Sequence, residues 1–256
     1  LVDALRRFDR HNQQLLLADT LGPESRSFQI ALHIAYTSLR TEIAQTLREG
    51  AFTSPTAETL VRRGLAAYAA AAIVMPYERF VRTVEARRYD IEAIAGVFGA
   101  SFEQVAHRLT TLQRPGQEGV PFFFLRVDEA GNVSKRLDGA GFPFAAHGGG
   151  CSLWSVHRSF RQPGEVVTQW VELPDGQRFF SIARTVAAGA LHGQPRVLRA
   201  IALACGEQEA ARLIYAQTAQ AMEPTPIGVS CRVCNRAECV ARSAPPIGRE
   251  ILADDY

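Results

Sequence analysis

The sequence predicts an α+β protein in which a helical first half is followed by a β-rich second half. Up to Pro115 and Gly116, apolar residues recur with the helical period. After that point, apolar and polar residues alternate in short runs, and turn-forming residues separate these runs. We therefore expect two domains, a helical one at residues 1–115 and one at residues 116–256 that is built on an antiparallel β-sheet.

The helices of the first half follow from local signals. The first expected helix carries an apolar face formed by Phe28, Leu32, Ala35, Leu39 and Ile43. An alanine-rich stretch at residues 65–75 predicts a closely packed, buried helix that ends before Pro76. Ser101 and Gln104 have the spacing of a capping box, which predicts the start of a further helix.

The alternating runs of the second half predict two hairpins and a further strand. The expected strands are residues 122–127, 133–137, 166–173, 179–186 and 197–204. Turns around Gly131 and Gly176 join the first four strands in pairs. A helix from Glu207 to about Ala219 is expected to lead into the C-terminal segment.

Composition argues against membrane and nucleic-acid contacts. The 256 residues are 47% hydrophobic and can bury one large or two ordinary cores, but no apolar run reaches the length of a membrane span. The net charge of +2 is spread evenly. Residues 95–105 have the small residues of a helix-turn-helix, but only His107 and Arg108 follow as basic groups, which favours a structural helical hairpin. We expect a soluble cytoplasmic protein, with a further segment upstream of Leu1 because the chain does not begin with methionine.

Three cysteines near the C-terminus form the most informative motif of the chain. Cys231, Cys234 and Cys239 have the spacing Cys-x2-Cys-x4-Cys, and the chain has five cysteines in total. The two-residue step lets two thiolates of one turn bind the same metal centre. A fourth thiolate has to come from elsewhere. Cys151, which follows three glycines, is favoured over Cys205, which lies in an apolar run typical of a buried core.

This pattern favours an iron–sulfur cluster of the [4Fe–4S] type. One Cys-x2-Cys step with a nearby third thiol and a remote fourth suits a ferredoxin-type cluster, whereas zinc sites usually combine two such steps or add histidines. Zinc is the alternative metal, and a zinc-dependent hydrolase is the alternative function. Disulfides are the weakest interpretation, because five cysteines in 256 residues do not form a small stapled scaffold. No nucleophile-elbow or phosphate-loop motif was found.

Several segments of the chain resemble one bacterial family. They are residues 28–35, 64–77, 88–92, 101–109, 119–124, 127–136, 149–154 and 226–231, with the cysteines that follow. On these segments the chain resembles the bacterial short-chain fatty-acyl transcriptional regulators over nearly its whole length. The resemblance implies a DNA-binding helix-turn-helix upstream of this sequence, a domain similar to the ImmA/IrrE metallopeptidases, and a C-terminal sensor half that we expect to be GAF-like. A homo-oligomer is also expected, because symmetric dimers are usual among bacterial regulators.

The same resemblance implies that the metallopeptidase site has been lost. The family's His-Glu-x-x-His zinc helix aligns with residues 32–36, so that Leu32 and Tyr36 occupy the zinc-ligand positions and His33 the glutamate position. The position of a third, acidic ligand falls near Arg63. These side chains do not generate a zinc-bound hydroxide, and we expect no enzyme activity.

The resemblance also implies an acyl-coenzyme A effector, with propionyl-CoA as the expected ligand, and control of genes for propionate and short-chain acyl catabolism. Such a ligand needs cations for its phosphates, an aromatic ring for adenine and an apolar slot for the acyl chain. We expect Tyr89 and Arg88 to contact it, together with Arg87, Lys135 and Arg136. A redox sensor that binds no small molecule is the remaining alternative.

Overall fold

The computed structural model of this chain describes residues 5–143, 150–187, 197–219 and 222–248. The chain forms two compact units. The first contains the described residues up to Ala86 together with Ile91–Arg108, and the second contains Arg87–Asp90 and the described residues from Leu109 onward. The domain boundary expected at Pro115 and Gly116 stays a prediction.

The helices and strands follow one another along the chain in two blocks. The first block comprises β1 (Arg6–Asp9), β2 (Gln14–Leu17), α1 (Pro23–Ser38), α2 (Arg40–Glu49), α3 (Pro55–Val74), α4 (Tyr77–Ala86), α5 (Ile91–Phe98) and α6 (Phe102–Leu109). The second block comprises β3 (Phe123–Val127), β4 (Val133–Leu137), α7 (Ser155–Arg158), β5 (Val167–Glu172), β6 (Arg178–Ala187), β7 (Leu198–Gly206), α8 (Glu207–Ala210), α9 (Ile214–Thr218) and β8 (Thr225–Pro226). None of the helices in the described part of the chain combines the length and apolar character needed to cross a bilayer.

Strands β1 and β2 pair as an antiparallel hairpin, which corrects the prediction of a wholly helical first half. The turn between them is held by Asp9, whose carboxylate accepts hydrogen bonds from the N–H groups of His11 at 2.9 Å and Asn12 at 3.2 Å. Gln13 adopts a positive φ of 53°. Such local side-chain hydrogen bonds compete with helix formation, and helical periodicity does not detect them.

The single helix expected from Phe28 to Ile43 is instead two helices, α1 and α2. Leu39 separates the two helices, since its φ of −110° and ψ of 27° lie outside the helical region. Its N–H group still donates to the carbonyl of Ala35 at 3.1 Å. Because the interruption is one residue long and involves neither glycine nor proline, the sequence carried no signal for it.

Helix α3 confirms the helix predicted from the alanine-rich stretch. Its first turn begins at Ser54, whose hydroxyl accepts a hydrogen bond from the N–H of Ala57 at 3.4 Å. The helix is buried on one side, at Ala66 and Ala70. Tyr68 on another side is 47% exposed. The helix is therefore only partly buried, whereas a fully buried helix was expected.

The capping box at the start of α6 is confirmed. The Ser101 hydroxyl accepts a hydrogen bond from the N–H of Gln104 at 3.2 Å, and the Gln104 side-chain oxygen accepts one from the N–H of Ser101 at 2.9 Å. Gly99 has a φ of +58° in the turn between α5 and α6. These contacts fix the helical hairpin that was favoured over a DNA-reading motif.

The second unit is built on a six-stranded sheet with the order β4-β3-β7-β6-β5-β8. The pairs β3–β4 and β5–β6 are antiparallel and confirm the two predicted hairpins. Strand β7 pairs antiparallel with both β3 and β6, and no signal in the sequence predicted these two pairings. Strand β8 pairs with β5 in parallel, so the predicted antiparallel sheet is in fact mixed. This strand has two residues, and a period of two cannot be recognised over so short a run.

The core of the second unit lies between the sheet and the segment that carries α7. It contains Trp154 and Phe142 from the connecting segment, with Phe123, Phe179 and Ala202 from the sheet. All of these side chains are less than 5% exposed. The core fixes the backbone immediately after Cys151, and this segment contributes to the candidate site.

The helix predicted from Glu207 to Ala219 is divided into α8 and α9, which corrects that prediction. Leu213 between them has an extended backbone and is fully buried. The N–H of Ile214 donates to the carbonyl of Arg88 at 2.8 Å instead of continuing a helical ladder. A tertiary hydrogen bond therefore replaces the local one, and no residue of low helix propensity marks the break.

Candidate functional site

Four cysteines line one small, partly open cavity in the second unit. They are Cys151, Cys231, Cys234 and Cys239, the four residues predicted from the motif. The structure therefore brings the remote thiol of Cys151 to the same cavity as the three thiols of the C-terminal loop. The cavity is also lined by Pro226, Gly228, Ser230, Arg236, Ala241 and Arg242.

Local backbone turns place the cysteines at this cavity. Cys151 accepts a hydrogen bond from the N–H of Trp154 through its carbonyl at 3.0 Å, so the core tryptophan anchors the turn that carries the thiol. Gly148 and Gly149, expected to make this segment flexible, lie outside the described residues. Cys231 begins a 3₁₀ turn, Cys231–Val233, and its carbonyl accepts a hydrogen bond from the N–H of Cys234 at 3.4 Å. The two-residue spacing thus closes one turn, as a chelating pair requires.

Gly228 makes room for the thiol of Cys234. A Cβ atom at Gly228 would lie 2.6 Å from the Sγ atom of Cys234 and 2.9 Å from its Cβ atom. Both distances are well below van der Waals contact. The neighbouring Ile227 is held to the sheet, because its N–H donates to the carbonyl of Glu172 on β5 at 2.9 Å. A side chain at Gly228 would therefore displace Cys234 rather than the sheet.

We expect Gly228→Ala to weaken retention of iron in reconstituted protein by about tenfold, the usual cost of disturbing the surroundings of metal ligands. The new methyl group and Cys234 cannot occupy their present positions together. Iron content per chain after gel filtration measures the effect. Gly96→Ala on α5 is the control, since apart from its chain neighbours and the backbone of its own helix no atom lies within 4 Å of a Cβ at Gly96. Wild-type iron content in the Gly228 variant would contradict this account of the cavity.

Two arginines hold the backbone of the cysteine loop. Arg242 donates through Nη1 to the carbonyls of Cys231 and Cys234, each at 3.5 Å, and through Nη2 to the carbonyl of Arg236. Arg236 donates in turn to the carbonyls of Ile227 at 3.3 Å and Glu172 at 2.7 Å. The loop is therefore connected to β5 by protein contacts alone. The sequence did not identify either arginine, because arginine is common in this chain and no known motif distinguishes arginines at these positions.

The thiol of Cys231 at the cavity and the thiol of Cys205 in the sheet core have pKa values shifted in opposite directions. A contact of 3.3 Å joins the Cys231 sulfur to the Ser243 hydroxyl, and this hydrogen bond is the main cause that lowers the pKa of the Cys231 thiol. Arg242 lowers that pKa further by its positive charge. Burial raises the pKa of Cys205 to about 12, so that this thiol stays protonated in the sheet. The thiolate form that binds metals is favoured at Cys231 and opposed at Cys205.

The four cysteines supply the donor atoms that either an iron–sulfur cluster or a zinc ion takes in proteins. In the part of the chain that the structure describes, no three His, Cys, Asp or Glu side chains are arranged around one metal ion. A zinc ion would need its sulfur ligands at about 2.3 Å from a common point. In a [4Fe–4S] cluster each iron takes its own thiolate, so the four sulfurs surround a volume. Four cysteines line one cavity, as four separate iron ligands would, and both the cluster and the zinc alternative stay predictions.

Helix α1, which was expected to correspond to the zinc helix of the metallopeptidases, is part of the core of the first unit. Leu32 and Tyr36 on α1 pack against a cluster that contains the buried residues Ala35 and Ala66. The ring of His33 lies 4.7 Å from the ring of Phe8, measured between centroids. These positions therefore have packing roles in this protein.

Two of the predicted ligand contacts lie in a strained turn. Arg88 and Tyr89 both have positive φ angles, 50° and 62°, which non-glycine residues rarely adopt. Arg88 donates to the carbonyl of Ala211 at 3.0 Å. The Tyr89 side chain is 1% exposed, and its hydroxyl accepts hydrogen bonds from the N–H of Val120 at 2.9 Å and from Arg212 at 3.1 Å. Both side chains thus already bind protein groups, and their contact with a ligand stays a prediction.

The other three predicted contacts lie at two places. Arg87 is exposed in the turn before α5, next to Arg88. Lys135 is partly buried and Arg136 is exposed, and both lie on β4, one of the two edge strands of the sheet. None of the three lines the cysteine cavity. Their role in ligand binding also stays a prediction.

Comparison with known proteins gives two family matches that cover the chain. Residues 111–256 match the family described as "Short-chain fatty acyl coenzyme A regulator, C-terminal". Residues 2–110 match the "IrrE N-terminal-like domain". The second match supports the expected likeness of the first half to the IrrE metallopeptidases.

Individual proteins are similar over nearly the whole chain. The HTH-type transcriptional regulator RamB of Mycobacterium tuberculosis is 42% identical over 98% of this chain and 54% of its own length. The propionyl-CoA carboxylase regulator of Cereibacter sphaeroides is 41% identical over 96% of this chain and 54% of its own length. The HTH-type transcriptional regulator PrpR of M. tuberculosis is 40% identical over 98% of this chain and 53% of its own length.

A solved structure has the same fold. A transcriptional regulator of Mycobacterium tuberculosis superposes with a TM-score of 0.93 at 39% identity and covers 100% of this chain and 79% of that one. The chain spans about half the length of the curated relatives it matches. The chain belongs to the family of short-chain fatty acyl coenzyme A regulators.

Proposed function

We propose that this chain is the effector-sensing region of a bacterial transcriptional regulator that controls propionate and short-chain acyl catabolism. The observation that carries the proposal is similarity at about 40% identity to three regulators over nearly the whole chain. Two of these relatives are named as HTH-type regulators. In this proposal DNA is bound by a helix-turn-helix outside the present sequence, and the protein acts as a homo-oligomer. The second unit serves as a sensor, which we propose to be GAF-like.

The sensor half is proposed to hold a [4Fe–4S] cluster through Cys151, Cys231, Cys234 and Cys239. Support comes from the common cavity, from the space that Gly228 leaves for Cys234 and from the lowered pKa of Cys231. When bound, such a cluster supplies a redox-active and oxygen-sensitive centre. The protein contributes the four thiolates, a preformed turn and two arginines that fix the loop to the sheet.

A cluster predicts a brown protein with visible sulfur-to-iron charge-transfer absorbance after anaerobic reconstitution. We expect Cys234→Ala to lose this absorbance and most bound iron, because Cys234 is a buried residue of the cavity lining and one of the four proposed ligands. Cys205→Ala is the matched control, since Cys205 lies in β7 away from the cavity lining. Wild-type protein that is colourless and contains only zinc would reject the cluster and favour the zinc-site alternative.

The effector is proposed to be an acyl-coenzyme A, with propionyl-CoA as first choice. The description of the matching family and the name of the C. sphaeroides relative support this ligand class. Tyr89, Arg88, Arg87, Lys135 and Arg136 are the proposed contacts, and the strained turn at Arg88 and Tyr89 is a feature that often accompanies binding sites.

Calorimetry with propionyl-CoA, acetyl-CoA and free CoA tests the effector. Saturating ligand at a hundredfold excess over the Kd is expected to stabilise the fold by about 2.7 kcal/mol, which a thermal shift detects. Arg87→Gln is expected to weaken binding without affecting the fold, because Arg87 is exposed. No heat and no thermal shift at millimolar ligand would leave the alternative of a redox sensor without a small-molecule effector.

A further inference from the structure

Arg242 occupies a special place in the cysteine loop. It lines the same cavity as the four thiols. Its guanidinium binds the carbonyls of Cys231, Cys234 and Arg236, and therefore spans both sides of the turn that carries the chelating pair. A planar group with five N–H donors suits this task, whereas a lysine ammonium cannot reach several carbonyls in one plane.

The positive charge of Arg242 lies at the cavity that the cysteines line, where it can offset the negative charge of thiolates. Carbonyl oxygens are neutral acceptors, so these three hydrogen bonds orient the guanidinium without removing its positive charge. Four thiolates carry four negative charges, and they repel one another in a partly enclosed cavity. The net charge and hydrogen bonds around a cluster are among the factors that set its reduction potential.

The other arginines of the loop are arranged differently. Arg236 also lines the cavity, but its guanidinium is directed to the carbonyl of Glu172 on β5 at 2.7 Å and lies 3.9 Å from the Glu172 carboxylate. Arg232 is exposed and does not line the cavity. Arg242 is thus the arginine that both lines the cavity and links the backbone of Cys231 to that of Cys234.

We infer that Arg242 is a positioning residue for the metal cluster: its guanidinium holds the Cys231–Cys234 turn in the binding conformation and offsets the negative charge of the bound thiolates. The inference rests on the cluster proposed above. It predicts two separable effects, since the hydrogen bonds govern retention of the cluster and the charge governs its reduction potential.

The test compares wild type, Arg242→Gln, Arg242→Lys and Arg232→Gln, all reconstituted with iron and sulfide without oxygen. Loss of visible absorbance in the presence of a chelator gives the rate of cluster loss, and anaerobic spectroelectrochemistry gives the potential. We expect Arg242→Gln to lose the cluster about tenfold faster. Its potential should shift downward, because removing a positive charge makes the gain of an electron less favourable. Arg242→Lys should lose the cluster faster at a potential near that of wild type.

Arg232→Gln removes the same charge from an exposed position of the same loop, and it should match wild type in both measurements. Far-UV circular dichroism shows whether each variant is folded. If Arg242→Gln does not fold, the rate of cluster loss from Arg242→Lys still tests the inference. Equal loss rates and potentials in Arg242→Gln and Arg232→Gln would overturn the inference while leaving the proposed cluster intact. Wild-type protein that takes up no iron would overturn both.

Discussion

Trp154→Ala is expected to destabilise the second unit by about 4 kcal/mol, because it removes a large aromatic side chain from a packed core. The indole is 2% exposed, and its ring centroid lies 5.2 Å from that of Phe142 and 6.4 Å from that of Phe123. Its Nε1–H donates to the hydroxyl of Ser181 on β6 at 2.8 Å. The substitution therefore leaves a cavity and also leaves a buried hydroxyl without this donor.

The expected loss extends to the cysteine cavity. The N–H of Trp154 donates to the carbonyl of Cys151 at 3.0 Å, and Gln169 clamps the same segment by accepting from the N–H of Ser155 at 2.7 Å and donating to the carbonyl of Leu153 at 3.0 Å. When the indole no longer fixes this segment to the sheet, Cys151 is held less firmly at the cavity. Trp154→Ala should thus bind less iron than wild type even at temperatures where it is folded.

Urea unfolding measures the first effect. The chain has two tryptophans, and Trp170 lies on β5, so its fluorescence reports unfolding of the second unit in the variant. Trp154→Phe is the matched control. It keeps most of the ring packing and loses the hydrogen bond to Ser181, and we expect a cost of about 1–2 kcal/mol. An alanine variant that unfolds at the same urea concentration as the phenylalanine variant would show that the indole does not stabilise this core.

Local spacing predicted those parts of the molecule that depend on neighbouring residues. The capping box at Ser101 and the strand pairs on either side of Gly131 and Gly176 are confirmed, because short-range hydrogen bonds and turns decide them. The cysteine spacing likewise predicted a single turn at Cys231 and Cys234. Cys151, which was preferred to Cys205 as the fourth ligand, lines the same cavity as the other three cysteines, whereas Cys205 is fully buried in the sheet. The assignment of Cys151 as a ligand stays a prediction.

The features that the sequence did not predict depend on partners far along the chain. Strand β8 exists because Glu172 offers its carbonyl to Ile227 and to Arg236. The positive φ angles at Arg88 and Tyr89 occur without glycine, and the buried hydroxyl of Tyr89 is held by residues 31 and 123 positions away. Such contacts leave no local periodicity or turn signature, so only the folded chain reveals them.

Arg108→Ala is expected to destabilise the first unit by about 3 kcal/mol, since a buried cation–π contact contributes about 2 kcal/mol and a hydrogen bond about 1 kcal/mol. The Arg108 guanidinium carbon lies 5.5 Å from the ring centroid of Tyr68, 5.7 Å from that of Tyr77 and 6.0 Å from that of Phe80. Its Nε–H donates to the carbonyl of Met75 at 3.3 Å. Arg108 is 1% exposed, so its side chain links α3, α4 and α6 from within the core.

This result would show that Arg108, which follows the helix-turn-helix-like pattern at residues 95–105, stabilises the fold. Its guanidinium would then not be available to contact DNA phosphates. Urea unfolding followed by far-UV circular dichroism, which the helices dominate, measures the change. Arg62→Ala is the control, because Arg62 is 46% exposed in its ion pair with Glu58 and such surface pairs contribute less than about 1 kcal/mol. Arg108→Lys should recover only part of the loss, since an ammonium group lacks the planar face that stacks on aromatic rings. Equal unfolding midpoints for Arg108→Ala and Arg62→Ala would show that the aromatic contacts do not hold these three helices together.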